Sequence, residues 1–183
     1  MVYKYYKKGY MKITAKQLKA LDPCKEGYQW FIKHKSRDLK EVLLSVNAIN
    51  PSWARWLYTN LMSVKQRRIL AIYAAEQVLP IFEKSYPDDN RPRKAIKAVK
   101  AVLVLDNADT RRAASNAAAR AYNAYANVAA AYAAHTACTA YTGYANDAAD
   151  AAENAVDAVD AGFAQLEMQK CLIIKAMRIL ENE

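Results

Sequence analysis

Cysteine, glycine and proline are all scarce in this chain of 183 residues. It has three cysteines, four glycines and five prolines, and the cysteines (Cys24, Cys138 and Cys171) are widely separated and odd in number. This excludes a disulfide framework and a CxxC metal site, and so little glycine and proline argues against a turn-rich β-sandwich or β-barrel. No run of 18 uncharged, strongly apolar residues occurs, which excludes a membrane span.

Positive charge is confined to one half of the sequence. Residues 1–100 contain 21 Lys and Arg against 8 Asp and Glu, whereas residues 101–183 contain 6 against 10. The net charge of +9 for the whole chain is therefore the sum of a strongly basic first half and an acidic second half. This asymmetry predicts a molecule with two faces of opposite charge.

The N-terminal segment is basic and aromatic. Tyrosine and lysine alternate through residues 1–11, with no apolar core and no small-residue cleavage site of the kind found in export signals. We therefore expect a cytoplasmic protein with a basic arm at 1–13. The remainder, 14–183, is expected to be a single helical domain with a basic part at 14–108 and an acidic, alanine-rich part at 109–183.

Helix start signals recur along the first half, and strand signals are nearly absent. Capping boxes are expected at Thr14 and Ser63, and a serine N-cap is expected at Ser36. An N-cap residue followed by proline is expected at Asp22-Pro23 and at Asn50-Pro51. Each supplies a side-chain acceptor for the free N–H groups of a first helical turn. The pattern predicts an all-α fold, a bundle of short amphipathic helices.

Two proline positions set further boundaries. Pro80 is expected to kink or end a long apolar helix, because it lacks an N–H and clashes with the preceding turn. The Arg91-Pro92-Arg93 segment is interpreted as structural, with the proline starting a helix and the arginines holding it to neighbouring carbonyls or carboxylates. Lysines 94, 97 and 100 are expected on the outer side of that helix.

Alanine dominates residues 113–161, where it occupies 23 of 49 positions. Because alanine is the best helix former, a long helical hairpin is expected here, with a break near Gly143 and a final helix at 163–180. Two stripes share single helix faces: Tyr122, Tyr125 and Tyr132 form one, and Asp147, Asp150, Glu153, Asp157 and Asp160 form the other.

No constellation for catalysis, metal binding or cofactor binding is present. His135 and Cys138 could share a helix face, but they lack the third group that a dyad or metal site requires. The phosphate-binding, dinucleotide-binding, zinc-protease and nucleophile-elbow motifs are all missing. We therefore expect a protein that is not an enzyme and that uses no cofactor and no metal.

Nucleic-acid binding is the alternative function that the basic half favours. Lysines interleave with tyrosines near the N-terminus, a mixture typical of single-strand binding, and a second basic patch could add to it. The residues that would bind are Lys7, Lys8, Lys12, Arg67 and Arg68. The acidic half would repel phosphate, which weakens this alternative.

Four short motifs occur in order before the alanine-rich tract. They are LDPCKEGYQW at 21–30, SWARWL at 52–57, RILA at 68–71 and DNRPRKA at 89–95. With the tract that follows them, they resemble the alanine-rich helical immunity proteins of bacterial and phage toxin systems. The resemblance extends over nearly the whole chain from about residue 15.

This resemblance implies a non-enzymatic inhibitor that binds another protein and neutralises it. The target would be a toxin, or a host defence component if the protein serves phage counter-defence such as anti-CRISPR or anti-restriction. The acidic and tyrosine stripes are the expected interface, since carboxylates can occupy a basic groove and buried tyrosines can anchor it. Self-association through the alanine-rich hairpin remains open.

Overall fold

A computed structural model describes residues 11–122 and 162–182. Within them lie eight α-helices and one isolated antiparallel bridge, between Lys12 and Asp38. The helices are α1 (Ala15–Ala20), α2 (Lys25–Lys33), α3 (Leu39–Asn47), α4 (Pro51–Leu61), α5 (Val64–Ser85), α6 (Arg91–Val104), α7 (Ala108–Tyr122) and α8 (Gly162–Glu181). This confirms the all-α class. The first residues of the predicted hairpin belong to α7, and the remainder, with its break near Gly143, lies outside the described residues.

Three predicted helix starts are confirmed by side-chain hydrogen bonds. Thr14 caps α1 in a complete capping box with Gln17. Asn50 accepts the Trp53 N–H at 3.3 Å, with Pro51 as the first residue of α4. Before α5, the Ser63 hydroxyl accepts the Gln66 N–H at 3.2 Å, and the Gln66 amide oxygen accepts the Ser63 N–H at 2.8 Å.

Two predicted caps were wrong. Asp22 adopts a left-handed conformation (φ 56°) just past the end of α1, where short polar side chains are tolerated. An N-cap needs extended backbone, which Cys24 provides, and its sulfur accepts the Gly27 N–H at 3.4 Å. Likewise Asp38, not Ser36, caps α3, while the Ser36 hydroxyl accepts the Asp38 N–H.

Pro80 does not end its helix. The helix α5 continues through this residue to Ser85, although a proline there cannot donate a hydrogen bond to the carbonyl of Glu76. The neighbouring Leu79 is buried against the helices that pack on α5. Packing of this kind can outweigh the local cost of an interior proline, which is about 3 kcal/mol.

The larger hydrophobic core joins the first five helices with α8. Its members include Leu18, Phe31, Val42 and Leu57, and it also takes in Met11 and Ile13 from the end of the predicted basic arm. The Ile13 N–H donates to the Arg37 carbonyl at 2.9 Å. Residues 11–13 therefore pack on the helical core.

The last helix closes this larger core, as its apolar spacing predicted. Ile173, Met177 and Leu180 are all buried there. Near its end, the Gln66 side-chain amide donates to the Ile179 carbonyl at 3.1 Å. The two ends of the described chain are thus held in one core.

A second, alanine-rich core lies between α5, α6 and α7. Ala71 and Ala75 from α5, Ala95 and Val99 from α6, and Ala114 from α7 are all fully buried. Small side chains at a contact let helix axes approach closely. Lysines 94, 97 and 100 are exposed, which confirms the predicted outer face of α6.

Candidate functional site

The interface predicted from the sequence lies almost entirely outside the described residues. This applies to the whole acidic stripe (Asp147, Asp150, Glu153, Asp157 and Asp160) and to Tyr125 and Tyr132. Tyr122 is the last residue of α7. His135 and Cys138 are likewise outside the described chain, so this interface stays a prediction.

The helices α7 and α8, which precede and follow residues 123–161, both pack against other helices of the molecule. Ala114 and Ala118 of α7 are fully buried, and α7 packs along α6. On the other side, α8 packs against α3, α4 and α5. The chain therefore runs into and out of residues 123–161, which carry the acidic stripe, from two packed helices.

Asp106 connects three helices at the corner between α6 and α7. It accepts hydrogen bonds from Arg68 of α5 at 2.8 Å and from Arg111 of α7. The two guanidinium groups, with the Arg111 hydrogen bond the largest influence, lower the pKa of the Asp106 carboxyl. An ionised Asp106 is thereby favoured in the folded state.

Ion pairs also hold the start of α6. Arg91 binds Asp89 at 2.6 Å through three side-chain hydrogen bonds. Arg93 binds Glu83 of α5 at 2.6 Å through two. The hydrogen bonds to Glu83 raise the pKa of Arg93. The structural role predicted for Arg91-Pro92-Arg93 is confirmed.

The corner between α6 and α7 projects two apolar side chains into solvent. Val104 is 89% exposed and Leu105 is 59% exposed, directly before the paired Asp106. The Thr110 hydroxyl donates to the Leu105 carbonyl at 2.5 Å.

The residues of the nucleic-acid alternative do not form one described patch. Arg68 is buried and paired with Asp106, while Arg67 donates to the Met62 carbonyl at 3.0 Å. Lys12 is exposed beside the bridge to Asp38. Lys7 and Lys8 lie outside the described residues. The two arginines therefore serve internal contacts.

A pocket of about 310 Å³ opens between the first four helices. Its walls come from α1 (Leu18), α2 (Trp30, Phe31), α3 (Val42, Val46) and α4 (Trp53, Trp56), and Cys24 and Ser52 also line it. Trp30 is held by stacking on His34, with ring centres 4.6 Å apart. The His34 Nε2 atom is buried and has no hydrogen-bond partner.

Gly27 shapes one wall of this pocket. A Cβ atom at this position would lie 3.2 Å from the Cys24 sulfur and 3.6 Å from the Trp53 ring. The absence of a side chain lets α2 approach Trp53 of α4 closely. The packing of these helices thus places tryptophans from both around one cavity.

Sequence reasoning missed this pocket. Trp30 and Trp53 lie on different helices, and nothing in the spacing between 30 and 53 indicates that their rings line one pocket. The one local sign was the CKEG segment, where a small polar cap and a glycine precede the first tryptophan. Bringing the rings together depends on tertiary packing.

No group of three or more His, Cys, Asp or Glu in the described residues is placed to hold a metal ion. None of the described helices has the length and apolar character needed to cross a membrane.

The described chain is thus an all-α protein with two helical cores fastened by ion pairs. The family model for the Imm-5 like putative immunity protein matches residues 60–175. The match spans more than half of the chain, which therefore belongs to this family and confirms the resemblance seen in the motifs. No curated protein and no solved structure matches the chain.

Proposed function

We propose that this protein is an inhibitor that binds a toxic protein one to one and neutralises it. Membership of an immunity protein family over residues 60–175 carries the proposal, since immunity implies a protein partner. The protein would act in the cytoplasm by stoichiometric binding, without catalysis. Its target would be a toxin, or a host defence component if the protein serves a phage.

The acidic stripe from Asp147 to Asp160 is the contact surface we favour. Five carboxylates recur at helical spacing there, and they suit a basic groove such as the phosphate-binding cleft of a nuclease. Complementary charge speeds association and sets the register of a complex. The tyrosines at 122, 125 and 132 would supply the apolar anchors that affinity requires.

The described helices support this arrangement. Since α7 is buried against α6 and α8 against the larger core, the segment between them is attached on both sides to fixed helices. A contact surface mounted on rigid elements loses less conformational entropy on binding than a free one.

The test is capture of the partner by the tagged full-length protein after nuclease treatment. We expect one protein to be recovered in near-equal amount. If recovery disappears with nuclease, the protein acts on nucleic acid and the proposal is wrong.

The same partner then tests the interface. Changing Asp147, Asp150, Asp157 and Asp160 to Asn should weaken binding by at least about tenfold while leaving the helix content unchanged. The matched control changes four exposed carboxylates elsewhere: Glu26→Gln, Glu41→Gln, Asp88→Asn and Glu181→Gln. Equal affinities of the two variants would remove the stripe from the mechanism.

A further inference from the structure

All three tryptophans of the chain line one pocket. Trp30 comes from α2, and Trp53 and Trp56 come from α4. The pocket's volume of about 310 Å³ lies at the lower end of the range for small-molecule sites. Its lining residues all fall between 18 and 57, before the range that the family model matches.

The walls favour a flat apolar ligand. The Cys24 sulfur already accepts the Gly27 N–H, and the Ser52 hydroxyl accepts a hydrogen bond from Arg55 at 3.0 Å. The Cys24 sulfur and the Ser52 hydroxyl are thus already used as acceptors within the protein. Stacking on His34 fixes the Trp30 ring, which leaves a rigid aromatic wall that a second planar ring can pack against.

The mouth of the pocket favours a negative charge. The Arg55 guanidinium lies at hydrogen-bond distance from Ser52, an exposed lining residue. Residues 14–60, the segment that contains all the lining residues, have eight Lys and Arg against four Asp and Glu. A carboxylate or sulfonate held near this arginine would gain a charge-assisted hydrogen bond.

We propose that the pocket binds an aromatic anion of one or two fused rings, with the rings against the tryptophans and the acid group at Arg55. This activity goes beyond the inhibitor function and does not depend on it. If the pocket binds no such ligand, the inhibitor proposal is unaffected, and the reverse also holds.

The chain carries its own reporter for this binding. The indole N–H groups of Trp30, Trp53 and Trp56 give the three tryptophan side-chain signals of a ¹⁵N-labelled sample. We would titrate the full chain with 2-naphthoate and, as the neutral match, 2-naphthamide. The proposal predicts saturable shifts of all three signals with 2-naphthoate, and an affinity roughly three- to tenfold lower for the amide.

Two pairs of variants distinguish the contribution of the cavity to binding from the contribution of the Arg55 charge. Ser52→Phe fills the pocket from its exposed rim and should abolish the shifts, whereas Ser52→Ala leaves the cavity open and should keep them. Arg55→Gln should weaken 2-naphthoate roughly three- to tenfold and leave 2-naphthamide unchanged. Lys97→Gln, at an exposed position of α6, should alter neither.

Three results would overturn the proposal. The first is that 2-naphthoate at millimolar concentration leaves the indole signals in place. The second is equal affinity for the acid and the amide. The third is binding that persists unchanged in Ser52→Phe, since a ligand indifferent to a filled cavity binds elsewhere.

Discussion

Asp106, between α6 and α7, is ion-paired with both α5 and α7. Its carboxylate accepts hydrogen bonds from Arg68 and Arg111, and these lower its pKa. Because the folded-state pKa lies below the unfolded value of about 3.9, the stabilisation is fully present above that value. It is lost as the pH falls through the folded-state pKa.

Asp106→Asn should therefore lower the free energy of unfolding at neutral pH. It also leaves the buried Arg68 guanidinium without its carboxylate. The deficit relative to the natural protein should shrink as the pH falls below about 4, because Asp106 is protonated first in the unfolded chain and, at still lower pH, in the folded protein. Urea unfolding at about pH 7, 5 and 3 measures this.

The matched control is Asp109→Asn, which removes an exposed ion pair with Arg112. Such pairs contribute little, so this variant should follow the natural protein at every pH. A deficit for Asp106→Asn that stays constant with pH would contradict the role assigned to its ionised form.

Single caps show what the sequence could predict at this scale. Thr14 and Ser63 were identified correctly because the glutamine three residues on marks a capping box. Asp22 and Ser36 were wrong because a better-placed cap stands two residues later in each case. Backbone conformation decides between such neighbours, and local sequence does not show it.

At the scale of elements, α8 is the helix that joins the two ends of the described chain. Apolar periodicity predicted this helix and its buried face. The continuation of α5 through Pro80 was not predictable, because it depends on packing against α6 and α7.

Two adjacent isoleucines test whether α8 closes the larger core. Ile173 is 1% exposed and Ile174 is 38% exposed. Ile173→Ala should lower the free energy of unfolding by about 2–5 kcal/mol, and Ile174→Ala should lower it by no more than about 1 kcal/mol. Urea unfolding followed by circular dichroism gives both values; equal losses would mean that α8 does not pack as described.

At the scale of the whole molecule, the sequence combines a basic half and an acidic half, and the described residues form two cores. Composition and capping patterns were enough for the all-α class, and ordered motifs were enough for the immunity protein family. The tryptophan pocket could not be predicted from the sequence, because its walls come from four separate helices. The acidic stripe rests on sequence spacing and family membership.

The central claim is that the protein neutralises a toxic partner by binding it. The most direct measurement is the growth of cells that produce the captured partner alone, with this protein, or with the Asp147, Asp150, Asp157 and Asp160 variant. The account predicts arrested growth with the partner alone, recovery with the natural protein, and no recovery with the variant. A harmless partner, or arrest that persists when this protein is in excess, would contradict it.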